Sequence, residues 1–302
     1  MSLVRNSWIR QNKVTKFQQK NDLYKRVSTN YLRHLGRFYT FRQLYSYWQN
    51  KIQALHPQIY VQQLAIKGKS VFADIKVEKT VTELKEEAVS FGLQLPHNLV
   101  TEIYEFASST PCTEPGFNDE YLVEDVKHGR LRGGRYVLRG LVNDVMKCNA
   151  IQQLVHDPLL LNIVRQYLNY WPTLITQHLT WSFASDLPEA EIKKTYPPIN
   201  FHYDVAGCNF VTVYFYITDV DLDSGPHIMF KNSQKHKPLK VLLAGSCPIK
   251  QTDEEVYSYY GKENELVITG KKGFGFVQDP ACVHRLKSPV TTNRLLLQIR
   301  YS

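Results

Sequence analysis

The sequence predicts an α+β protein, a jelly roll of antiparallel strands with helices of its N-terminal half packed outside it. Three observations predict this class. Apolar residues recur at helical spacing across residues 77–170, β-rich runs bounded by turn residues fill 173–302, and no internal repeat is found. Helices first and strands later is the order of a segregated sheet, since alternating βαβ units would interleave them.

Bulk properties limit the function. At 302 residues the chain is long enough to bury a full core, and 43% hydrophobic and 22% charged residues are ordinary for a globular protein. No apolar run reaches the ~18–20 residues of a spanning helix, and no secretory signal opens the chain. The cysteines Cys112, Cys148, Cys208, Cys247 and Cys282 are odd in number and form no CxxC pair. Reduced thiols in a cytoplasmic protein fit this better than disulfides or zinc. The net charge of +9 is placed unevenly, because residues 1–70 hold 13 Lys/Arg against one acid, Asp22. This predicts a basic, helical extension over 1–70 and a nearly neutral domain over 71–302. The extension suits a nucleic acid or an acidic partner, or is simply a solvated face.

Residues 1–20 carry few apolar anchors, and from Leu23 to about Gln53 aromatic and aliphatic residues recur at spacings of three or four. Val81, Leu84, Ala88 and Phe91 predict a helix ending before Gly92 in a left-handed cap. Asn98 is the expected cap of the next helix, which carries Val100, Ile103, Tyr104 and Ala107. Residues 110–135 read as loop. Asp157-Pro158 opens a buried helix over Leu159–Leu168. The strands follow at Thr173–Ala184, Asn209–Thr218, His227–Phe230, Glu265–Ile268, Phe274–Gln278 and Arg294–Tyr301. Thr252-Asp253-Glu254-Glu255 is a capping box, starting a short helix that runs to about Tyr260.

The chemistry centres on Phe201-His202-Tyr203-Asp204. Residues two apart on an extended segment share a face, so His202 and Asp204 point the same way. Ten His and 13 Asp give such a pair about 0.4 times by chance, so the motif alone is weak. Its context strengthens it. His284 sits on the last hairpin, and Arg294 follows across a turn at the head of the final strand. Two imidazoles and one carboxylate with open positions are the ligand set of a non-haem Fe(II) oxygenase. Along the last strand Arg294, Leu296, Gln298 and Arg300 share one face. A planar guanidinium facing a metal pocket suits a carboxylate such as the distal end of 2-oxoglutarate, and Arg300 is the alternative clamp if the register slips. His178 and His227 read as structural histidines.

From about Val77 to Ser302 the chain resembles the phytanoyl-CoA dioxygenase family of Fe(II)/2-oxoglutarate oxygenases. The supporting segments are FHYD, VYFYITDVDLDSGPHIMF and GFGFVQDPACVHRLKSPVTTNRLLLQIRY. Where the family carries a Pro-Gly-Ser-His segment this chain has Lys231-Asn232-Ser233-Gln234-Lys235-His236. The resemblance implies a double-stranded β-helix of the cupin kind, with helical part 77–170 and strands over 173–302. It implies His202, Asp204 and His284 as iron ligands, with O2 and 2-oxoglutarate as co-substrates. Arg294 and Tyr214 would contact 2-oxoglutarate; the family's serine position is Leu286 here, and either Ser288 or a threonine replaces that contact or the contact is absent. Gln177 and Tyr203 are candidate substrate contacts. The implied reaction hydroxylates an unactivated C–H of a small molecule or lipid-like metabolite, releasing succinate and CO2. Related halogenases carry a small residue at the Asp204 position, so its carboxylate argues for hydroxylation or another oxidation. Two other readings remain open: an oxygenase acting on nucleic acid or protein docked by residues 1–70, and a silent jelly-roll binding module.

Overall fold

The computed structural model describes residues 34–55, 58, 68–72, 74–244 and 252–302. In chain order its regular elements begin with helices α1 (Tyr39–Ala54) and α2 (Val77–Glu87), then β1 (Val89–Gln94), α3 (His97–Ser109), β2 (Cys112–Thr113), β3 (Glu120–Tyr121) and β4 (Arg139–Val142). Next come α4 (Asn149–Val155), α5 (Pro158–Leu168), β5 (Ile175–Ser182), α6 (Glu189–Thr195), β6 (Val211–Tyr216), β7 (His227–Phe230) and α7 (Leu239–Ala244). The last are α8 (Asp253–Tyr260), β8 (Glu265–Ile268), β9 (Phe274–Gln278), β10 (His284–Leu286) and β11 (Arg294–Tyr301). Among the described residues no helix is long and apolar enough to cross a membrane.

The strands form two antiparallel sheets, one of eight strands in the order β1-β9-β6-β11-β5-β4-β2-β3 and one in the order β10-β7-β8. Strand β6 is buried at every position, as a central strand covered on both faces must be. Alternation assigns the two faces. Val213, Phe215, Leu295, Leu297 and Ile299 pack with Leu160, Leu161 and Val164 of α5. Tyr214, Tyr216, Phe276 and Leu296 turn the other way and meet Met229 and Ile268 of the small sheet. The large sheet is thus a middle layer, with helices on one side and the small sheet on the other.

The caps at Asp157 and Thr252 form as expected. Asp157 accepts from the Leu159 and Leu160 amides at 2.9 and 3.2 Å, and Thr252 and Glu255 exchange hydrogen bonds as a capping box. Helix α2 does take a left-handed cap, but at Ala88 (φ 68°) and not at Gly92. The reason is tertiary: Val89 and Ser90 pair with Gln278 and Val277, so the sheet edge claims the segment, and Phe91 leaves the helix to stack on Phe274. Asn98 does not cap α3. The carbonyl of Pro96 already accepts from the Leu99 and Val100 amides at 3.1 and 3.2 Å, so the helix begins before Asn98. Residues 110–135, read as loop, carry the short pair β2–β3, and α6 lies within the 185–200 connection.

The described part of 1–70 is packed into the domain. Arg42 on α1 is 2% exposed and donates at 2.8 Å to both Asp279 and Asn209, whose amide in turn donates to Ser46 at 2.8 Å. Gln53 bonds the backbone N–H and C=O of Trp171 at 2.7 and 2.8 Å. A boundary at 70 drawn from charge therefore cuts through packed structure, because the charge tally hides the buried partner of Arg42. Residues 1–33 lie outside the described residues, as does Cys247; the other four cysteines are free and buried. Replacing Arg42 by Met would leave the Asp279 carboxylate buried beside a lost cation. We expect a loss of about 3–5 kcal/mol in urea denaturation, partly recovered in the Arg42→Met/Asp279→Asn double variant.

Candidate metal centre

His202 lies outside any regular strand. It forms a single antiparallel bridge with His284, the first residue of β10, through amide–carbonyl bonds of 2.9 and 2.8 Å. The extended segment expected here is thus bridged at one residue only, yet the alternation holds. Asp204 is fixed next, its amide donating to the Pro280 carbonyl at 2.8 Å. Tyr203 turns the opposite way into a cluster with Phe201, Phe230 and Val283 and does not line the metal cavity.

The ligand atoms of His202, Asp204 and His284 all lie within 4.8 Å of one another. Each imidazole is oriented by its own chain: Nδ1 of His202 donates to the Asn200 carbonyl and Nδ1 of His284 to the Cys282 carbonyl, both at 2.9 Å. That leaves Nε2 on each ring as the free ligand nitrogen, the tautomer a metal-binding histidine requires. Arg300 donates to Oδ2 of Asp204 at 2.7 Å and leaves Oδ1 free. Two nitrogens and one carboxylate oxygen suit a divalent first-row metal ion, and the donor set present fits Fe(II).

A cavity of about 400 Å³ holds these three residues together with Arg294, Tyr214 and His227. Arg294, 1% exposed, stands at its other end. It donates to the Gly225 carbonyl and, at 2.9 Å, to Ser182 Oγ. Gly225 has φ +78°, and a Cβ there would stand 2.7 Å from the Lys287 carbonyl, so this turn needs glycine. Among the described residues Arg294 Nε is buried without a hydrogen-bond partner, as is Nε of Arg300. The four same-face residues of β11 all line the cavity, with Arg300 bonded to Asp204 and Arg294 six residues away along the strand.

The electrostatics favour the metal-binding protonation states. Burial works to raise the Asp204 pKa, but Arg300, His284 and His202 together hold it below the usual carboxylate range. Burial, helped by His202, depresses the His284 imidazole to about 4. Burial pushes His227 well below its ordinary value too, with His284 and Arg294 adding to the effect. Burial raises the Tyr214 phenol, which stacks on Phe276 at 4.9 Å.

Two expected contacts fall elsewhere. Ser288 lies beyond the end of β10, where alternation no longer applies, and lines a separate cavity of about 520 Å³ beside Lys287 and Pro289. Gln177 lines a third cavity of about 390 Å³, which shares Leu141 and His178 with the metal cavity. Ser182 and His227 are among the cavity residues that were not foreseen. Ser182 Oγ accepts from Arg294, and the signal for it is the register of β11 on β5, which pairs Arg294 with Ser182. His227, read as structural, lines the cavity and stacks on His284 at 5.1 Å.

No protein-family model and no curated protein matches the sequence. Solved structures do resemble the fold. SnoN, a non-heme alpha ketoglutarate dependent epimerase from nogalamycin biosynthesis, is 12% identical with TM-score 0.51 over 74% of this chain and 82% of its own. SnoK, a non-heme alpha ketoglutarate dependent carbocyclase from the same biosynthesis, is 14% identical with TM-score 0.50 over 78% and 87%. EvdO2 from Micromonospora carbonacea var. aurantiaca, solved with 2-oxoglutarate, is 12% identical with TM-score 0.50 over 77% and 92%. At such identities the likeness is one of fold.

The depressed His284 pKa sets a pH dependence for the metal-free protein. Unfolded histidine titrates near ~6.5 and folded His284 at about 4, so between these values the unfolded state binds more protons. Stability therefore rises with pH across that window and falls on acidification, and His227 adds with the same sign. Denaturant midpoints of metal-free protein should drop as pH falls from 6.5 to 4, and drop less in His284→Gln.

Proposed function

We propose that the protein is an Fe(II)- and 2-oxoglutarate-dependent dioxygenase that hydroxylates a C–H bond of a small molecule or lipid-like metabolite. The observation that carries this reading is one cavity with two free imidazole nitrogens and a carboxylate at one end and a buried arginine with an unspent donor at the other. Two antiparallel sheets facing each other across the cavity support a double-stranded β-helix. The similar structures add to this, since SnoN was solved with Fe3+, alpha ketoglutarate and nogalamycin RO. Membership of the phytanoyl-CoA dioxygenase family is the finer proposal and rests on the FHYD and C-terminal motifs. Four buried free thiols suit a cytoplasmic setting.

His202, Asp204 and His284 would hold the iron, and Arg294 with Ser182 would hold the distal carboxylate of 2-oxoglutarate. When bound, these groups supply O2 activation coupled to decarboxylation of 2-oxoglutarate to succinate. The protein's part is orientation. Backbone carbonyls fix both rings, Arg300 fixes Asp204, and Tyr214 forms part of the wall. Substrate would enter from the side where Leu141 and His178 join the metal cavity to the one lined by Gln177.

The test is succinate release from 2-oxoglutarate by Fe(II)-loaded protein, with and without added metabolites. We expect His202→Ala to lose about 100-fold or more, and Arg294→Gln to raise the 2-oxoglutarate KM about 30-fold. Wild-type turnover that persists unchanged in His202→Ala would overturn the iron-site assignment.

A further inference from the structure

His227 is a cavity residue whose role the metal ligands and the arginine clamp do not account for. It is 2% exposed and sits on β7, where its ring stacks on His284 at 5.1 Å and 17°. Tyr214 and Phe276 close on it at 5.4 and 5.6 Å. These neighbours fix the plane of the imidazole.

Its tautomer follows from Gln278. The Gln278 side-chain nitrogen lies 3.0 Å from His227 Nε2, 3.2 Å from Met229 Sδ and 3.3 Å from Cys282 Sγ. Met229 Sδ can only accept, so the amide NH2 and not Oε1 faces this cluster, and with the NH2 in place Nε2 accepts from it. The ring proton is then on Nδ1. Among the described residues that Nδ1 is buried with no hydrogen-bond partner. A buried donor without an acceptor is costly unless a ligand supplies one.

The neighbours say which ligand. Gly225, two residues before His227, accepts from Arg294, so one turn anchors both the clamp and the histidine. The other side of the ring lies against His284. An anion reaching from Arg294 to the metal ligands passes His227. We propose that His227 Nδ1–H donates to a carboxylate oxygen of bound 2-oxoglutarate and is a co-substrate-binding residue. This rests on the oxygenase reading and deepens it.

The test is anaerobic titration of Fe(II)-loaded protein with 2-oxoglutarate, followed by the charge-transfer absorption of the chelate, with Fe(II) affinity measured separately. His227→Phe keeps a ring and removes the donor, whereas His227→Asn keeps an N–H near the Nδ1 position. Thermal melts establish that each variant is folded. We expect His227→Phe to raise the 2-oxoglutarate Kd about tenfold with Fe(II) affinity within about twofold, and His227→Asn to recover most of the loss. Repeating the titration with glutarate and 2-oxobutyrate, as competitors for the distal and chelating ends, assigns the contacted carboxylate. A Kd in His227→Phe within about twofold of wild type would overturn the proposal. So would an equal loss of Fe(II) affinity, which would mean that His227 acts through His284. Wild-type protein that binds Fe(II) but not 2-oxoglutarate would instead strike the oxygenase reading itself.

Discussion

The site depends on the paired backbone hydrogen bonds between His202 and His284. The segment from Phe201 to Asp204 is otherwise irregular, and this bridge is what brings its imidazole beside one from the last hairpin, with ring centroids 4.3 Å apart. Once the backbones are joined, each ring is aimed by a carbonyl two residues earlier in its own chain. Local bonds of this kind cost little entropy to form, because ring and carbonyl are already neighbours. The arrangement of the two rings is therefore built into the fold.

Distant parts of the chain hold that bridge in place. Asp279 accepts from the Ala281 amide at 3.0 Å, and its own carbonyl accepts from the Cys282 amide at 3.0 Å. It thereby shapes the turn whose Pro280 carbonyl fixes Asp204 and whose next residues lead to His284. Arg42 of α1 and Tyr167 of α5 both bond its carboxylate. The N-terminal helix thus reaches the turn that positions Asp204 and His284 through one buried ion pair. Strand β11 does a separate job: its two-residue period puts Arg300 against Asp204 and Arg294 at the other end of the cavity, with Leu296 and Gln298 between them.

Much of this was legible in the residues. The strand runs and the caps at Asp157 and Thr252 follow from period and spacing, whereas the grouping of His202, Asp204, His284 and Arg294 needed the family resemblance beside them. What stayed hidden depends on register or on tertiary partners. Ser182 becomes a neighbour of Arg294 only because β11 pairs with β5 at that register. His227 looks like any strand histidine until its ring is seen between His284 and Phe276. Arg42 counts as surface charge until Asp279 is found beside it. Ser288 failed as a serine substitute because alternation stops where β10 ends at Leu286, and Ala88 took the helix cap expected at Gly92 because the sheet edge needed the next residues.

The central claim is that His202, Asp204 and His284 bind one Fe(II) with 2-oxoglutarate reaching to Arg294. Anomalous scattering at the iron edge, from crystals grown without oxygen in the presence of both, tests it most directly. We expect one anomalous peak bonded to His202 Nε2, His284 Nε2 and the Asp204 carboxylate, with diacid density running from it to Arg294. A peak elsewhere, or none among these three side chains, would contradict it.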